Sequence, residues 1–505
     1  GDGKVEISET MTFKAKDEAA IFIVEDLFYA SHPEPEDHIK DAWFANYKDF
    51  HELPFFEPYK THADFLKAVH YFPKKRTDFG FYRDNPGALR VVNKVIDEIS
   101  LAETKLRADG YRYTLAEKAK LFDALNKEKH IDKTTGMITA YVEGSEPLKN
   151  IPSGDGALWT GCYMAGQAYR YMATKDQDAL ENVLKNLESL FIMADIPQDP
   201  KIFARAIRPH EGEGGDWKAG KGEFAHLDWL CCGNNDMFHG FEYGFLVAWQ
   251  ALPHTQEYDD YRNKIIEKAV FLTGNSPVVA ESASHPLVMN LMLYYFTKEE
   301  KYLEKFEELV SKGSFVLDYL AEGGGMNYMY GITDWSGQHL NTLTHITITQ
   351  LAELIGDEEY LPFVLTGWVE GLKKTADIRF VLWPLGAFAY ADPGDVLKYA
   401  LDEALWALKE FPYPKYSLDI DHGIREGWLP SPWPALPWKM DYLTNPGRIQ
   451  SLHATAYFER CSSAYSWKDN QLGFSCGASD QIDPAADYLH AYWFGRYYGV
   501  IPADL

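Results

Sequence analysis

Apolar and polar positions along the chain follow a repeated arrangement. A helix of small and aromatic residues is followed by a short acidic turn and then by a charged helix with apolar residues at helical spacing. The clearest copies are residues 169–190, 294–310 and 351–372, and weaker copies occupy 249–271 and 388–408. A single helix pair cannot bury its own apolar face, so neighbouring pairs must stack in an array or a closed ring.

The two helices of each pair differ in their pattern. The first is apolar nearly all round, which is typical of a buried helix, and the second is amphipathic, which is typical of a surface helix. Inner helices are predicted to begin near Asp155, Asp236, His285, Gln338, Leu382 and Pro484. Outer helices are predicted at 177–193, 257–273, 298–312, 358–375 and 394–409, with a sixth from the N-terminal region. The pattern therefore predicts an all-α fold, an (α/α)6 toroid.

Two parts of the chain depart from this pattern. Residues 1–150 are the least regular, with helices predicted at 17–29, 87–107 and 115–129. Residues 411–482 are rich in Pro, Trp, Tyr and Gly and indicate an extended excursion before the last helix. Residues 203–209 indicate a strand or an extended loop. We therefore expect an N-terminal helical and loop region at 1–150, packed on a toroid formed by 151–505.

Composition narrows the classes of function. The 49 Lys and Arg residues against 75 Asp and Glu residues give a net charge of −26, which disfavours a nucleic-acid partner because phosphate contacts need basic patches. No apolar run is long enough to span a bilayer. The five cysteines form no Cys-x-x-Cys pair, so no zinc motif is predicted. Neither a metal ligand set nor a cofactor is predicted; no EF-hand spacing occurs, and a bound calcium ion stays an open alternative in so acidic a chain. Cys461 and Cys476 can bridge a loop or remain free thiols.

The loops that lead into the inner helices carry the candidate chemistry. In a toroid these helices direct their N-termini to one face, so the loops converge there. Carboxylates, imidazoles, amides and aromatic rings recur at these positions: Asp155, Trp159, Trp229, Asn234, Asn235, Asp236, His239, Tyr330, Trp335, His339 and Trp383. Trp and Tyr offer flat faces to sugar rings, and Asn and His bind hydroxyls. Asp228 and Asp236 are also predicted to face the opening, where paired carboxylates can divide acid and base roles.

Each of these residues also has a purely structural interpretation. Asp155 and Asp236 are good helix N-caps, and most aspartates at helix starts do nothing else. The histidines can be satisfied core residues and the tryptophans can be ordinary core. The functional interpretation is favoured by recurrence, because polar and aromatic residues return at the same end of successive inner helices.

Two segments resemble known proteins. The run Asp155-Gly156-x-x-Trp159-Thr160-Gly161 and the helix pair that follows resemble (α/α)6-toroid carbohydrate-active proteins, which include glycoside hydrolases and polysaccharide lyases. The run from Asp487 to Gly499 resembles the closing helix of uncharacterised secreted bacterial toroid proteins. The resemblance implies a carbohydrate-active protein that is secreted, periplasmic or on the cell surface. It names no sugar and no oligomeric state.

The resemblance also implies roles for particular residues. If this chain acts as a toroid hydrolase, Asp155 and Asp236 would hold the acid and base positions. The sugar site would then be lined by Trp159, Trp229, Trp335 and Trp383. In toroid lyases or epimerases an Asn neutralises a uronate carboxylate while Tyr or His acts as base. Asn234 or Asn235, with His239, His339 or Tyr330, would then fill those positions. The same fold leaves two further alternatives. One is a non-catalytic glycan-binding or structural protein, and the other is an enzyme that acts on terpenoid skeletons.

Overall fold

The computed structural model describes residues 113–312, 315–324, 326, 335–375, 381–411, 413, 415, 428–430, 449–451, 466–468, 480–503 and 505. Within these ranges the chain is mostly helical. The helices are α1 (Leu115–Leu125), α2 (Gly156–Thr174), α3 (Gln177–Asp195), α4 (Asn235–Ala251), α5 (Asp259–Asn275), α6 (Pro277–Glu281), α7 (His285–Thr297), α8 (Glu300–Lys312), α9 (Phe315–Ala321), α10 (Trp335–Ile355), α11 (Leu361–Thr375), α12 (Leu382–Tyr390), α13 (Lys398–Glu410) and α14 (Ala486–Tyr497). The helices predicted at 17–29 and 87–107, Cys461, Cys476 and most of the excursion at 411–482 lie outside the described residues.

The alternation of inner and outer helices agrees with the sequence pattern. The inner helices are α2, α4, α7, α10, α12 and α14, and each begins within a few residues of its predicted start. The outer helices α3, α5, α8, α11 and α13 follow their partners at the predicted places. The turns after α2 and α7 are alike: Lys175 (φ 60°) and Lys298 (φ 57°) adopt the left-handed conformation that reverses the chain. The repeat seen in the sequence is therefore a repeat of helix–turn–helix units.

The inner helices contact one another in chain order. Helix α2 packs on α4, α4 on α7, α7 on α10, α10 on α12, and α12 on α14, which in turn packs on α2. The contact between α2 and α4 is made by backbone. A Cβ atom on Gly161 would lie 2.1 Å from the Gly240 carbonyl oxygen, and one on Gly240 would lie 2.2 Å from the Ala157 carbonyl oxygen. Only glycine at these positions allows the two helices to approach so closely.

A polar group joins the inner helices toward their C-terminal ends. The side-chain amide of Gln350 lies 2.6 Å from the Tyr169 hydroxyl and 3.0 Å from the hydroxyls of Tyr390 and Tyr498. The Tyr243 hydroxyl lies 3.1 Å from that of Tyr169. Helices α2, α4, α10 and α12 and the C-terminal end of α14 are thereby linked by hydrogen bonds, and the helix N-termini are left at the opposite end.

Short strands accompany the helices, an addition to the predicted all-α fold. They are β1 (Ala140–Val142), β2 (Asn150–Ile151), β3 (Ala206–Pro209), β4 (Trp217–Ala219), β5 (Leu227–Leu230), β6 (Trp428–Pro430), β7 (Ile449–Ser451) and β8 (Gln481–Ile482). Their antiparallel sheets have the orders β2-β1-β8, β3-β5-β4 and β6-β7. Strand β3 confirms the extended segment predicted at 203–209. The β3-β5-β4 sheet lies between α3 and α4 in the chain and supports the start of α2, because the Ala157 N–H donates to the Arg205 carbonyl (2.8 Å).

One carboxylate of the core should make stability depend on pH. Asp123 on α1 accepts hydrogen bonds from Gln167 Nε2 (2.8 Å) and Trp493 Nε1 (3.2 Å), and Arg170 lies 3.4 Å away. Burial raises the pKa of Asp123 from 3.8 to about 6, although Arg170 and the two hydrogen bonds oppose the rise. The contribution of Asp123 to stability is therefore fully present below about pH 4. It is lost as the pH rises through about 6, by about 3 kcal/mol in all.

Asp123→Asn should remove this dependence. Urea unfolding of both proteins between about pH 4 and about pH 7 is expected to show the variant gaining stability relative to the wild type as the pH rises. Asp260→Asn, at an exposed carboxylate of α5, is the control and should follow the wild-type curve. Parallel curves for wild type and Asp123→Asn would contradict the assignment.

Candidate functional site

The N-termini of α2 and α4 lie side by side, and the loops before them carry the candidate carboxylates. Asp155 is the residue before α2, and its side chain makes no capping hydrogen bond. Asn234 is the residue before α4, and its side chain accepts a hydrogen bond from the Met237 N–H at 3.3 Å. Asn234 therefore caps the helix, whereas the Asp155 carboxylate is directed to other partners. Cys231 and Cys232 lie in the segment just before this cap.

Two cations hold the Asp155 carboxylate. Arg205, in the segment before β3, places Nη2 3.0 Å from Asp155 Oδ1 and also donates through Nε to the Gly154 carbonyl at 2.7 Å. Lys468 places Nζ 2.9 Å from Asp155 Oδ2. Asp155 thus has a fixed position, with about a quarter of its side chain exposed. The Asp155 carboxylate is therefore paired with two cations and does not cap the helix.

Lys468 brings the two predicted catalytic carboxylates together. Its ammonium nitrogen lies 2.9 Å from Asp155 and 3.9 Å from Asp236 Oδ2. The same nitrogen lies 5.1 Å from the centre of the Trp159 ring, a distance typical of a cation–π contact. Lys468 belongs to a short 3-10 turn, Ser466–Lys468, whose Trp467 is buried and donates to the Asp487 carbonyl. The turn is therefore anchored to the start of α14.

A cavity of about 480 Å³ opens beside Asp236. Asn235, Asp236 and His239 of α4 form one side of it. The other walls come from the loop before α7, from the end of α9 and from α10: Ser282, Ala283, Ser284, Leu287, Tyr319, Leu320, Gly324, Gly337, Leu340, Asn341, Thr344, His345 and Ile348. The cavity is large enough for a small organic ligand, and α4, the loop before α7, α9 and α10 all contribute polar groups to it.

Three buried side chains meet under this cavity. His285 Nδ1 lies 2.7 Å from Glu242 Oε1, and His285 Nε2 lies 3.2 Å from the Asn235 carbonyl oxygen. His239 lies 3.0 Å from the same carbonyl through Nδ1 and 3.1 Å from Thr344 Oγ1 through Nε2. Burial lowers the pKa of His239 to about 3 and raises the pKa of Glu242, the latter against the opposing effect of His285. Among the described residues, these three are the group whose donor atoms could hold a metal ion.

Other predicted site residues lie in the core. The ring of His339 is buried 6.0 Å from that of Trp159, and burial holds the pKa of His339 well below its usual range. Trp383 is fully buried and donates to the Trp368 carbonyl at 3.1 Å, so the structure corrects its predicted place at the sugar site. Trp229 is also buried, on β5, with the Lys218 ammonium 5.1 Å from its ring centre. Tyr330 and the side chain of Trp335 lie outside the described residues.

Asp228 was predicted to face the opening together with Asp236, and the structure corrects this prediction. Asp228 is fully buried and accepts hydrogen bonds from the N–H groups of Glu211 (2.8 Å) and Gly212 (3.0 Å), with His210 Nδ1 at 2.7 Å. Burial by itself would raise the pKa of Asp228, but these three contacts outweigh it and hold the pKa below its usual value. Asp228 therefore organises the loop after β3.

Comparison with known proteins found likenesses of fold. No protein-family model matches the chain, and no curated protein matches its sequence. The cellulase Cel9M of C. cellulolyticum is similar in structure over 77% of this chain and 98% of its own, with 13% identity and a TM-score of 0.40. A GH9 protein of Bacteroides ovatus is similar over 76% of this chain and 82% of its own, with 10% identity and a TM-score of 0.39. At these identities and TM-scores the likenesses transfer neither a residue role nor an activity to this chain.

Sequence reasoning missed the two cations and the histidine–glutamate cluster. Lys468 lies in a segment with no helical period, and nothing in its spacing signals a partner more than 300 residues away. Arg205 is likewise an isolated basic residue before a strand. A partial signal existed for the cluster, because His239 and Glu242 are spaced to share one helix face. His285 joins them only through the packing of α7 on α4.

No helix of the described residues is long and apolar enough to cross a membrane.

Proposed function

We propose that this protein is a carbohydrate-active enzyme that hydrolyses a glycosidic bond, with Asp155 and Asp236 sharing proton transfer. The observation that carries the proposal is the placement of both carboxylates around one ammonium group next to Trp159, with Asp236 at the edge of a cavity. Carboxylates from two helix starts, tied to a common cation beside an aromatic ring, suit a polar, hydroxyl-rich substrate better than an apolar one.

The separation of the two carboxylates fits this chemistry. Because both lie within 4 Å of Lys468 Nζ, at 2.9 Å and 3.9 Å, their nearest oxygens are closer than the upper limit of about 9.5 Å for paired glycosidase carboxylates. Their surroundings are unequal, since Asp155 has two close cationic partners and Asp236 has one more distant partner. Unequal surroundings are the condition under which one carboxyl group donates a proton and the other accepts one.

Lys468 must move or be displaced during such a reaction. Its ammonium group lies between the two carboxylates, where the scissile bond and the attacking water would have to fit. Lysine has a long flexible side chain, so a substrate hydroxyl can replace the ammonium group at Asp236, which is its longer contact. Trp159 is itself buried, so its ring positions the Lys468 ammonium group and offers no open face to a sugar.

The proposed architecture is a closed ring of six helix pairs. It is supported by the chain-order contacts of the inner helices and by the return of α14 to α2. Helix α1 would be the sixth outer helix, because it packs on α14. In such a ring the helix N-termini gather on one face, which accounts for the proximity of Asp155, Asp236 and His285.

A non-catalytic glycan-binding protein is the second candidate. It is favoured by the ion pairs themselves, because Lys468 neutralises charge that a hydrolase would use. A lyase or epimerase receives less support. Its base would be a histidine such as His239, and burial lowers the pKa of His239 to about 3, which makes it a weak base near neutral pH.

A polysaccharide and oligosaccharide panel tests the proposal. Purified protein should release new reducing ends from at least one glycan without a rise in absorbance from an unsaturated product. A rise in that absorbance would instead indicate a lyase. Glycan binding without product would indicate the second candidate, and neither binding nor product on neutral and uronate glycans would contradict the carbohydrate proposal altogether.

A further inference from the structure

The buried cluster of His239, Glu242 and His285 has the composition of a metal site. His239 and Glu242 lie on one face of α4, and His285 is the first residue of α7. At most 4% of any of the three residues is exposed. One ligand atom from each lies within 4.8 Å of the other two. We propose that these three residues bind one divalent transition-metal ion, Zn²⁺ in the first instance, through two imidazole nitrogens and one carboxylate oxygen.

The spacing requires little movement to accept the ion. Zinc bonds to histidine nitrogen and carboxylate oxygen are about 2.0–2.2 Å long, so neighbouring ligand atoms in a tetrahedral site lie about 3.3 Å apart. Glu242 Oε1 and His285 Nδ1 are now 2.7 Å apart, as a hydrogen-bonded pair. The His239 and His285 rings have centroids 4.7 Å apart and meet edge to face. The donor atoms, which lie within 4.8 Å of one another, must therefore close by at most about 1.5 Å. His239 must also exchange one of its two hydrogen bonds, to the Asn235 carbonyl or to Thr344, for the ion.

Charge favours an ion at this place. Glu242 is a carboxylate in the interior, and an ionised carboxylate is costly to bury unless a cation compensates it. A divalent ion would compensate this charge and would be held by both imidazoles in the neutral form, in which histidine binds metals.

The donor set selects the class of metal. Two imidazoles with one carboxylate suit zinc and other first-row transition ions, whereas calcium and magnesium prefer all-oxygen surroundings. His239 also lines the cavity, so the site can be reached from that side, and a water molecule can complete the coordination there. The proposal is independent of the reaction proposed above, because it concerns binding alone.

Metal binding to the full chain tests this inference. Protein stripped with a chelator is expected to take up one Zn²⁺ per chain in titration calorimetry and to unfold at a higher temperature afterwards. His239→Gln and Glu242→Gln should each weaken binding by more than about 100-fold, since even the outer partners of metal ligands contribute 10- to 100-fold. His345→Gln is the matched control: His345 is a buried histidine of the same cavity outside the cluster, and its variant should bind as the wild type does.

A spectroscopic measurement keeps the test decisive if the variants fail to fold. Zinc-edge X-ray absorption of the wild-type protein should show imidazole nitrogen ligands at about 2.0–2.1 Å. A shell of oxygen alone would overturn the proposal, because it would indicate surface carboxylates. Failure of the stripped wild-type protein to bind Zn²⁺, or full binding by both cluster variants, would overturn it equally.

Discussion

Gly240→Ala is expected to lower the free energy of unfolding by about 3 kcal/mol or more. The new methyl group would lie 2.2 Å from the Ala157 carbonyl oxygen and 2.7 Å from the Leu158 Cα atom. Both are backbone atoms of α2, so no side-chain rotation can relieve the clash and the two helices must separate. Gly161, which faces Gly240 across the same contact, offers no space into which α4 could shift.

Urea unfolding of Gly240→Ala and Gly274→Ala provides the measurement and its matched control. Gly274 lies in α5 with no atom within 4 Å of the position of an added Cβ, so alanine there should be neutral or stabilise by up to about 1 kcal/mol. The same substitution should thus have opposite consequences at the two positions. Equal unfolding midpoints for Gly240→Ala and the wild type would mean that α2 and α4 are not in backbone contact.

Asp155→Asn and Asp236→Asn should each reduce turnover of a hydrolysed glycan by about 100-fold to 10,000-fold, the range that a positioned acid or base contributes. Asparagine preserves the shape of the side chain but can neither donate a proton as an acid nor accept one as a base. The loss should therefore appear in kcat, with a smaller effect on KM. Steady-state kinetics with reducing-end detection on the glycan identified by the panel measure both parameters.

The matched control for these variants is Asp259→Asn. Asp259 is also an aspartate at a helix start, and it pairs with Arg262 at 3.0 Å, as Asp155 pairs with Arg205. Asp259→Asn should retain wild-type turnover, and all three variants should remain folded by circular dichroism. If Asp155→Asn and Asp236→Asn are as active as the control, the two carboxylates do not catalyse the reaction. The double variant should lose little more than the worse single variant, because the two groups act as a unit.

The helical framework was predictable from the sequence, whereas the electrostatic partners were not. Apolar periodicity located the starts of α2, α4, α7 and α12 closely, because the apolar pattern of a buried helix extends over many residues. Lys468 and Arg205 are single residues whose importance depends on where the whole chain places them. Trp383 and Asp228 have side chains suited to a sugar site, but the structure places both in the interior. Trp383 is held there by packing and by its bond to the Trp368 carbonyl, and Asp228 by the N–H groups of the loop after β3.

Helix α2 is covered on one side by α14, which is the last of the described helices to be synthesised. Its partner α14 begins at Ala486, and strand β1 must also await β8 before the two can pair. At 5–20 residues per second, translation of the intervening chain takes on the order of tens of seconds. During that time an apolar face of α2 has no native cover from α14 and is exposed to aggregation. Production of the protein should therefore depend on chaperone supply and on slow, cool expression more strongly than its final stability would suggest.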